Sequence, residues 1–335
     1  MRIFVNDVAA ENSGALTILE SFYEQFSKDT GNDYILCVSL PRLQSTSNVT
    51  VMTFPWVKKS WLHRVWFDMV IANRIIAKHE IDEVFSLQNV LVPLTRKPQT
   101  IYMHQSLPFE DKRFSLFEAP LFWVYQNVIG QIIVFSAKRA RKIIVQTNWM
   151  KEAVINRAKI PGERIEVRPP DLEIKIPGQF SLKDWQRTFF YPATPLVYKN
   201  HITLLKAAQI LRNQGIRDFK VLLTTTKQSL PRECEKIVDE VEDHITFLGS
   251  ISHEEVMQMY CQSVLVFPSY IETYGLPLKE ASLCGAPIIA ADRPFSKEIL
   301  ENYPNKLFFS AMDSHMLAKQ LELLFDKKSK AEVRL

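Results

Sequence analysis

Short apolar runs alternate with amphipathic stretches along almost the whole chain of 335 residues. Runs of four to eight apolar residues predict buried strands, whereas apolar residues that recur every three or four positions predict helices. Strands that alternate with helices form parallel sheets with helices packed on both faces. The pattern therefore predicts an α/β fold.

Six strands are predicted in each half of the chain. They span Ile3–Val8, Tyr34–Ser39, Val49–Phe54, Glu83–Leu87, Thr100–His104, Lys142–Gln146, Thr188–Tyr191, Lys220–Thr225, Ile245–Leu248, Val264–Phe267, Pro287–Ala290 and Leu307–Phe309. Helical patterns lie between them, at Leu16–Lys28, Trp61–His79, Ile202–Asn213, Arg232–Glu242, His253–Cys261, Leu276–Cys284 and Ser314–Phe325.

A chain of this length exceeds what one hydrophobic core usually holds, so two domains are expected. The natural boundary is the proline-containing stretch 169–178, because proline disfavours both helices and central strands. We therefore predict two Rossmann-like domains at residues 1–170 and 171–335. The last helix is a candidate to pack back toward the first domain.

The charge is distributed unevenly. Residues 1–170 carry 21 Lys and Arg against 16 Asp and Glu, a net of +5, whereas the remainder carries 20 against 21, a net of −1. Either the first half approaches an anionic surface or the excess is an ordinary spread of charge. The four cysteines show neither a metal-ligand spacing nor a disulfide pattern, which fits a reducing cytosol. Residues 1–7 lack a signal-peptide core, so the predicted location is cytoplasmic.

The segment Phe267–Glu280 has the layout of a phosphate-binding turn. An apolar strand ends at Pro268, a loop closes on Gly275, and Pro277 suits the first positions of a helix. Free backbone N–H groups at the carboxyl end of a strand bind phosphate. The amides expected to be free here are those of Gly275, Leu276 and Leu278.

Two carboxylates flank this turn, Glu272 before the helix and Glu280, which we expect in the first helical turn. Carboxylates accept hydrogen bonds from sugar hydroxyls, so the segment offers amides for a diphosphate and an acceptor at each end. The alternative from spacing alone is that Glu280 complements the helix dipole and Glu272 is solvated.

The block Val264–Ile299 resembles the signature of family 4 retaining glycosyltransferases. The matching positions are Pro268-Ser269, Glu272, Glu280 after seven residues, Ala281, Gly285-Ala286-Pro287, Asp292 and Glu298. The resemblance implies a GT-B fold, in which two Rossmann-like domains face a central cleft. It also implies an enzyme of bacterial surface-polysaccharide assembly, which moves a sugar from a nucleotide-diphosphate sugar to a hydroxyl of a glycan or lipid-linked acceptor.

By this resemblance, Glu272 contacts the transferred sugar and Glu280 contacts the nucleotide ribose. The amides of Gly275 and Leu276 bind the diphosphate, and Gly285 allows close packing of helix against strand. The other donor-binding candidates are Thr273 and Tyr274 on the same loop and, beside the nucleobase, Gly249 and Ile251.

Lys199 precedes a predicted helix and resembles the family lysine that neutralises the departing diphosphate. Most members add an arginine about six residues earlier, where this chain has Ala193 and Thr194. One cation stabilises the leaving group less than two, so either another basic residue substitutes or turnover is slow.

Two positions in the first half also resemble family features. Gly14 opens a helix after the first strand, as in the family's first-domain glycine loop, and would let the backbone approach the donor phosphate or the acceptor. His104 ends another strand, where a histidine of related enzymes borders the acceptor and the transferred sugar. Each residue has a purely structural alternative.

The resemblance implies retention of the anomeric configuration without a protein nucleophile. Lys199 and the Gly275 and Leu276 amides would stabilise charge on the leaving diphosphate, and Glu272 would position the sugar. The sequence shows no aspartate pair with metal-binding spacing. We therefore expect neither a metal nor another cofactor.

Two segments of the first half suggest a peripheral contact with the inner face of the cell membrane. Residues 55–67 mix tryptophans with cations, which suits a membrane interface. The apolar run 116–135 is flanked by basic residues and is too interrupted for a spanning helix. The alternative is that the tryptophans are buried in the core. Nucleic-acid binding is not expected, because the basic residues form no stripe along one element.

Two other functions remain open from the sequence. The missing arginine near Ala193 and the single Gly14 would also suit a non-catalytic subunit that binds a glycan or a protein partner. A nucleotide-sugar epimerase or hydrolase on the same fold is the third reading.

Overall fold

The computed structural model of the protein describes residues 1–10, 13–40, 43–117, 119–171, 174–183 and 185–332. The chain divides into two compact units, residues 1–172 and 173–335. Each unit is built on one parallel sheet.

Unit 1 carries a seven-stranded sheet. Its strands are β1 (Arg2–Asp7), β2 (Asp33–Val38), β3 (Val49–Thr53), β4 (Glu83–Ser86), β5 (Gln99–Met103), β6 (Lys142–Val145) and β7 (Ile165–Val167). Its helices are α1 (Ser13–Lys28), α2 (Trp61–Trp66), α3 (Ala72–Lys78), α4 (Pro120–Val124), α5 (Gly130–Arg139) and α6 (Asn148–Ala158). The strand order is β3-β2-β1-β4-β5-β6-β7.

Both faces of this sheet are covered, as the alternation predicts. Leu36 and Val38 of β2 pack into the cluster that contains Phe22 of α1. Ile35 and Cys37, which point to the opposite face of the same strand, pack with Ile75 and Ile76 of α3. A strand buried on both faces must be apolar throughout, and this explains the unbroken apolar runs in the sequence.

Unit 2 carries a six-stranded sheet. Its strands are β8 (Thr188–Tyr191), β9 (Lys220–Leu223), β10 (Ile245–Phe247), β11 (Val264–Phe267), β12 (Ile288–Ala291) and β13 (Lys306–Phe309). Its helices are α7 (His201–Asn213), α8 (Glu235–Val241), α9 (His253–Tyr260), α10 (Leu276–Leu283), α11 (Pro294–Ile299) and α12 (Ser314–Glu332). The strand order β10-β9-β8-β11-β12-β13 is that of a Rossmann sheet.

The predicted fold class, with two Rossmann-like parallel sheets, is confirmed. In each sheet the strand order reverses at one place, between β1 and β4 in unit 1 and between β8 and β11 in unit 2. Ligands of open α/β sheets bind at the carboxyl ends of the strands beside this reversal. Each unit therefore has one preferred position for a site.

All twelve predicted strands are present within two residues of the predicted bounds. Strand β7 was not predicted, because three residues at a sheet edge are too few to show a pattern. The helix predicted at 61–79 is interrupted by a π turn at Phe67–Ile71 between α2 and α3. A second π turn, at Tyr125–Ile129, joins α4 to α5. Helix α12 extends seven residues beyond the predicted end at 325, to Glu332.

Helix α12 packs on α7 and β13 of its own unit, and its Phe325 joins an aromatic group at β8. The ring of Phe325 stacks on that of Trp185 at 6.0 Å and meets the edge of Phe189 at 5.7 Å. Trp185 is fully buried, and its indole N–H donates to the carbonyl of Thr188. This contact fixes the last described helix to the first strand of unit 2.

We expect Phe325→Ala to lower the free energy of unfolding of unit 2 by about 3–5 kcal/mol, because it removes a buried ring and leaves a cavity. Urea denaturation followed by circular dichroism measures this change. The matched control is Leu323→Ala on the exposed side of the same helix, for which about 0.5 kcal/mol is expected. Equal effects of the two substitutions would contradict the described packing of α12.

Candidate active site

The loops after β8 and β11 bring Lys199 and Glu272 together where the sheet of unit 2 reverses its strand order. The Nζ of Lys199 lies 2.5 Å from Oε1 of Glu272. The same oxygen accepts a 2.7 Å hydrogen bond from the Ser269 hydroxyl. Both members of the ion pair are largely shielded, with 17% and 16% of their side-chain surfaces exposed. The structure therefore brings together two residues that the sequence analysis assigned to one site.

Asn200 holds the Lys199 loop in place. A short 3-10 turn, Val197–Lys199, ends at Asn200, whose φ of 58° lies in the left-handed region that asparagine tolerates better than most residues. Its buried side-chain amide donates to the carbonyls of Pro268 at 3.1 Å and Ala311 at 2.6 Å. One amide thus ties together the loops that follow β8, β11 and β13.

Gly275 forms the turn that leads into α10. Its φ of 85° is unfavourable for a residue with a side chain, and an added Cβ would lie 3.2 Å from a methyl carbon of Leu278. No side chain among the described residues caps the N-terminus of α10, so the amides of Gly275 and Leu276 have no such partner. The expectation of a third free amide was wrong, because the N–H of Leu278 donates to the carbonyl of Gly275 at 2.9 Å.

Glu280 lies in the second turn of α10, not in the first as the sequence suggested, because the helix begins at Leu276. Its carboxylate is buried and has two partners. Nε2 of His253 lies 2.9 Å from Oε1, and the Tyr260 hydroxyl donates to Oε2 at 3.2 Å. Helix α9 supplies both partners and thereby fixes the orientation of the carboxylate.

The Glu280 carboxylate perturbs both of these neighbours. The hydrogen bond to Glu280 raises the pKa of His253, although partial burial acts against it. Burial, and then the charge of Glu280, raises the pKa of Tyr260 well above its usual value. The Tyr260 phenol therefore remains a hydrogen-bond donor to the carboxylate at neutral pH.

The other predicted donor-site residues lie on the same edge of unit 2. Gly249 and Ile251 follow β10, and Gly249 has a φ of 67° with open space where a side chain would begin. Thr273 and Tyr274 are half-buried on the loop before α10, and burial raises the pKa of the Tyr274 phenol.

Gly285 plays a different role from the one implied by the resemblance. Its φ of 72° requires glycine-like freedom, and an added Cβ would meet the side-chain oxygen of Gln179 at 2.8 Å. The backbone turn after α10, rather than close packing of helix against strand, accounts for a glycine at this position.

The two predicted residues of unit 1 lie on different elements. Gly14 is in the first turn of α1, and Asn12 before it lies outside the described residues. His104 follows β5, and its backbone N–H donates to the Asn89 side chain at 2.7 Å. Burial lowers the pKa of His104 to about 4, so its ring is neutral at pH 7.

The sequence of unit 2 matches a known protein family. The sequence model of the family described as "Glycosyl transferases group 1" matches residues 174–334, which is almost the whole of that unit. The match covers a little under half of the chain and includes the Lys199, Glu272 and Glu280 side chains.

Relatives of known name are also glycosyltransferases. The O-antigen chain mannosyltransferase RfbU of Salmonella typhimurium is 21% identical over 268 residues, which is 79% of this chain and 70% of RfbU. The D-inositol 3-phosphate glycosyltransferase of Mycolicibacterium smegmatis is 30% identical over 166 residues. That match covers 45% of this chain and only 38% of the Mycolicibacterium enzyme.

The fold resembles that of solved GT-B glycosyltransferases. Anabaena HepE, crystallised with UDP and glucose, superposes with a TM-score of 0.70 over 98% of this chain and 91% of HepE, at 17% identity. Together with the two parallel sheets, this likeness identifies the fold as GT-B. The identity is too low for the likeness to indicate more than the fold.

Several residues of this candidate site are not predicted from the sequence. Ser269 matches the signature without an assigned role, and the structure shows that its hydroxyl donates to Glu272. His253 and Tyr260, which hold Glu280, lie 27 and 20 residues away along the chain, and no local pattern marks them. Asn200 could have been suspected, since asparagine before a helix often adopts a special backbone conformation.

No group of three or more His, Cys, Asp or Glu side chains is arranged to hold a metal ion among the described residues. Metal independence stays a prediction.

We expect the pKa of His253 to fall toward the ordinary value of about 6.5 in Glu280→Gln, because the amide removes the charge that favours the protonated ring. In the wild type, stability from this pair is present below the ordinary pKa and is lost as pH rises through the raised one. Histidine-selective NMR titration measures the pKa. Glu254→Gln, at an exposed position of the same helix, is the control and should leave the pKa of His253 unchanged. An unchanged pKa in Glu280→Gln would refute the pairing.

Proposed function

We propose that the protein is a retaining glycosyltransferase that moves a sugar from a nucleotide-diphosphate sugar to a hydroxyl of a glycan or lipid-linked acceptor. The observation that carries this proposal is the Lys199–Glu272 pair beside the start of α10. A cation, a carboxylate and two amides meet at the strand-order reversal, where ligands of such sheets bind.

The cation and the amides suit the leaving diphosphate. The amides of Gly275 and Leu276, at the positive end of the α10 dipole, would bind the phosphate oxygens. The Lys199 ammonium would turn from Glu272 to the diphosphate, or donate to both. It would neutralise the negative charge that develops on the phosphate as the bond between the sugar carbon and the phosphate oxygen breaks. Removing one such preorganised donor commonly lowers turnover by about 100-fold to 1000-fold.

The carboxylates suit the two sugars of the donor. Both hydrogen bonds to Glu272 reach Oε1. Among the described residues no bond to its Oε2 is present, so this oxygen is available to a hydroxyl of the transferred sugar. Glu280, oriented by His253 and Tyr260, would accept from the ribose.

Retention would follow from a same-face substitution. The bond between the anomeric carbon and the diphosphate breaks, and the diphosphate keeps the electron pair. The acceptor oxygen bonds to the same face of that carbon, and its proton passes to the leaving phosphate. Glu272 then positions the sugar and is not a nucleophile. We propose that the reaction needs no metal and no other cofactor.

The named relatives guide the acceptor class. RfbU is named for the O-antigen chain, and we propose that this enzyme likewise assembles a surface polysaccharide in the cytoplasm. Two features of unit 1 support work at the inner membrane face, the excess of basic residues and the exposed Trp61 and Trp66. No nucleic-acid role is proposed.

The second candidate is a subunit that binds a glycan or protein partner without catalysis. Its support is Ala193, a buried residue where most family members have an arginine. Calorimetric titration with a panel of nucleoside diphosphates separates the two functions. Binding of one nucleotide favours the enzyme, whereas no binding of any favours the non-catalytic subunit.

We expect Lys199→Ala and Glu272→Ala each to lower turnover by about 100-fold or more while the protein stays folded, because each removes a group that contacts the reacting donor. Nucleotide release with the preferred donor and acceptor measures turnover, and circular dichroism checks folding. The matched controls, Lys206→Ala and Glu301→Ala, remove exposed charges of the same unit and should keep turnover within about twofold. Near-normal turnover in both site variants would refute the assigned site.

We expect the product to have the same anomeric configuration as the donor. Proton NMR of the anomeric position, recorded early in the reaction, distinguishes the two outcomes directly. An inverted product would refute the same-face substitution but would leave the donor site intact, because the Lys199 and Glu272 variants test that site independently.

A further inference from the structure

Two of the four cysteines meet at the ends of neighbouring helices in unit 2. Cys261 follows the last residue of α9, and Cys284 follows the last residue of α10. Their sulfurs lie 3.4 Å and 3.9 Å from the same oxygen, the carbonyl of Met257. The two thiols also form a hydrogen bond with each other, and both are free. The fold thereby pairs two thiols whose spacing along the chain shows no disulfide pattern.

The two thiols differ in accessibility. Cys261 is partly exposed, whereas Cys284 is fully buried. Burial, and then the neighbouring thiol of Cys261, raises the pKa of the Cys284 thiol to about 12, so this thiol is protonated at neutral pH. A small reagent in solution therefore meets Cys261 first. Cys284 is placed to react only with a group that is already attached to Cys261.

A segment near the start of unit 2 crosses the ends of both helices. The carbonyl oxygen of Gly178 lies 3.2 Å from the Cys261 sulfur, and the N–H of Phe180 donates to the carbonyl of Cys284 at 2.8 Å. Between them, the side-chain amide of Gln179 donates to the last carbonyl of α10 at 3.0 Å. This segment holds the two helix ends side by side, so the thiols stay close without a covalent bond.

The thiol pair lies beside the Glu280 carboxylate. Tyr260, whose hydroxyl donates to Glu280, immediately precedes Cys261. Glu280 lies one helical turn before Cys284, whose N–H donates to the Glu280 carbonyl at 3.2 Å. A change in the geometry of the two thiols therefore reaches the carboxylate through one residue of α9 and one turn of α10.

A metal ion suits this position less well than a disulfide does. Both cysteines lie at helix C-termini, where the negative end of the helix dipole disfavours a thiolate. Metal binding requires thiolates, whereas a disulfide is neutral. Across the described residues, no third His, Cys, Asp or Glu completes a metal site with the pair.

We propose that Cys261 and Cys284 form a reversible disulfide that weakens binding of the donor nucleotide. The disulfide depends on the thiol pair alone, whereas its effect on the nucleotide rests on the proposed function. Two sulfurs in hydrogen-bond contact must approach to the roughly 2.05 Å of a disulfide bond, which draws the end of α9 toward the end of α10. The Tyr260 hydroxyl then shifts against Glu280, and hydrogen bonds weaken steeply when they are misaligned.

The covalent step is an exchange with a small disulfide such as oxidised glutathione. The Cys261 sulfur attacks one sulfur of the small disulfide, whose S–S bond breaks, and the first small thiol leaves with the proton that Cys261 loses. The Cys284 sulfur then attacks the Cys261 sulfur, and the second small thiol leaves with the Cys284 proton. Two protein thiols are oxidised, and one small disulfide is reduced to two thiols. An excess of small thiol reverses both steps.

Equilibration of the full chain with oxidised and reduced glutathione tests the thiol pair. After an acid quench, alkylation of the remaining thiols and proteolysis, mass spectrometry should find peptides linked through Cys261 and Cys284. In Cys284→Ala the second step is impossible, so we expect glutathione to stay attached to Cys261. In Cys261→Ser, which changes a partly exposed position, we expect no glutathione on the buried Cys284. Absence of the linked peptides from the wild type, or a stable adduct on its Cys261, would overturn the proposal.

Cys234→Ala is the matched control for the linked peptides. Cys234 is buried in the same unit, directly before α8, and does not belong to the pair. This variant should give the same linked peptides as the wild type. A linked peptide that contains Cys234 in the wild type, or loss of the Cys261–Cys284 link in Cys234→Ala, would contradict the assigned pair.

Calorimetric titration with the preferred nucleoside diphosphate measures the effect on the donor site. We expect the oxidised wild type to bind about fivefold more weakly than the reduced protein, or more weakly still, and dithiothreitol to restore the affinity. Cys261→Ser should bind equally well under both conditions. In Tyr260→Phe, oxidation should change the affinity less than in the wild type, because the hydroxyl through which it acts is absent.

The possible failures point to different parts of the proposal. Equal affinity of the oxidised and reduced wild type, with the linked peptides present, would overturn the effect on the nucleotide. Absence of nucleotide binding by the reduced wild type would refute the proposed function and with it this effect. In that case the linked peptides would still decide whether the disulfide forms.

Discussion

The reversal of strand order in each parallel sheet is the constraint on which the rest of the structure depends. Parallel strands present all their carboxyl ends at one edge, and at the reversal the following loops diverge and leave a gap. In unit 2 this gap receives Lys199 and Glu272 from neighbouring strands. In unit 1 it receives Gln88 beside Asn6. The candidate catalytic pair and the buried polar bridge thus both lie where the sheet itself leaves room for a ligand.

The sequence predicted the fold well because strands buried on both faces leave an unmistakable pattern. Every residue of β11, Val264–Phe267, is apolar and buried, and each predicted strand of this kind was found. The pattern failed where burial was incomplete or the geometry irregular. Strand β7 is too short to show a repeating pattern of apolar residues. The π turn at Phe67–Ile71 lies inside an apolar pattern that is typical of a regular helix, so the sequence does not reveal it.

The candidate site was predictable where it is local in sequence or matches a family position. Glu272, Gly275 and Leu276 lie on one loop and the helix start that follows it, and Lys199 was predicted from its resemblance to a family position. The hydrogen bond from the Leu278 N–H to the Gly275 carbonyl depends on local backbone geometry, and the one between His253 and Glu280 depends on the packing of α9 against α10. A pattern of residue types along the chain contains neither kind of information. The same reason explains Asn200, whose side chain joins three loops far apart in the chain.

The π turns have a consequence for how chains of this shape can change. A π turn holds one residue more than a regular helical turn, and each residue of an α-helix advances its neighbours by about 100° around the axis. Because a π turn winds more loosely, its five residues turn the chain about as far as four residues of a regular helix. Deletion of a single residue from Tyr125–Ile129 would therefore restore regular geometry and leave both halves of the helix facing nearly the same way. A change of length at such a turn can be absorbed while the buried side of the helix stays in the core.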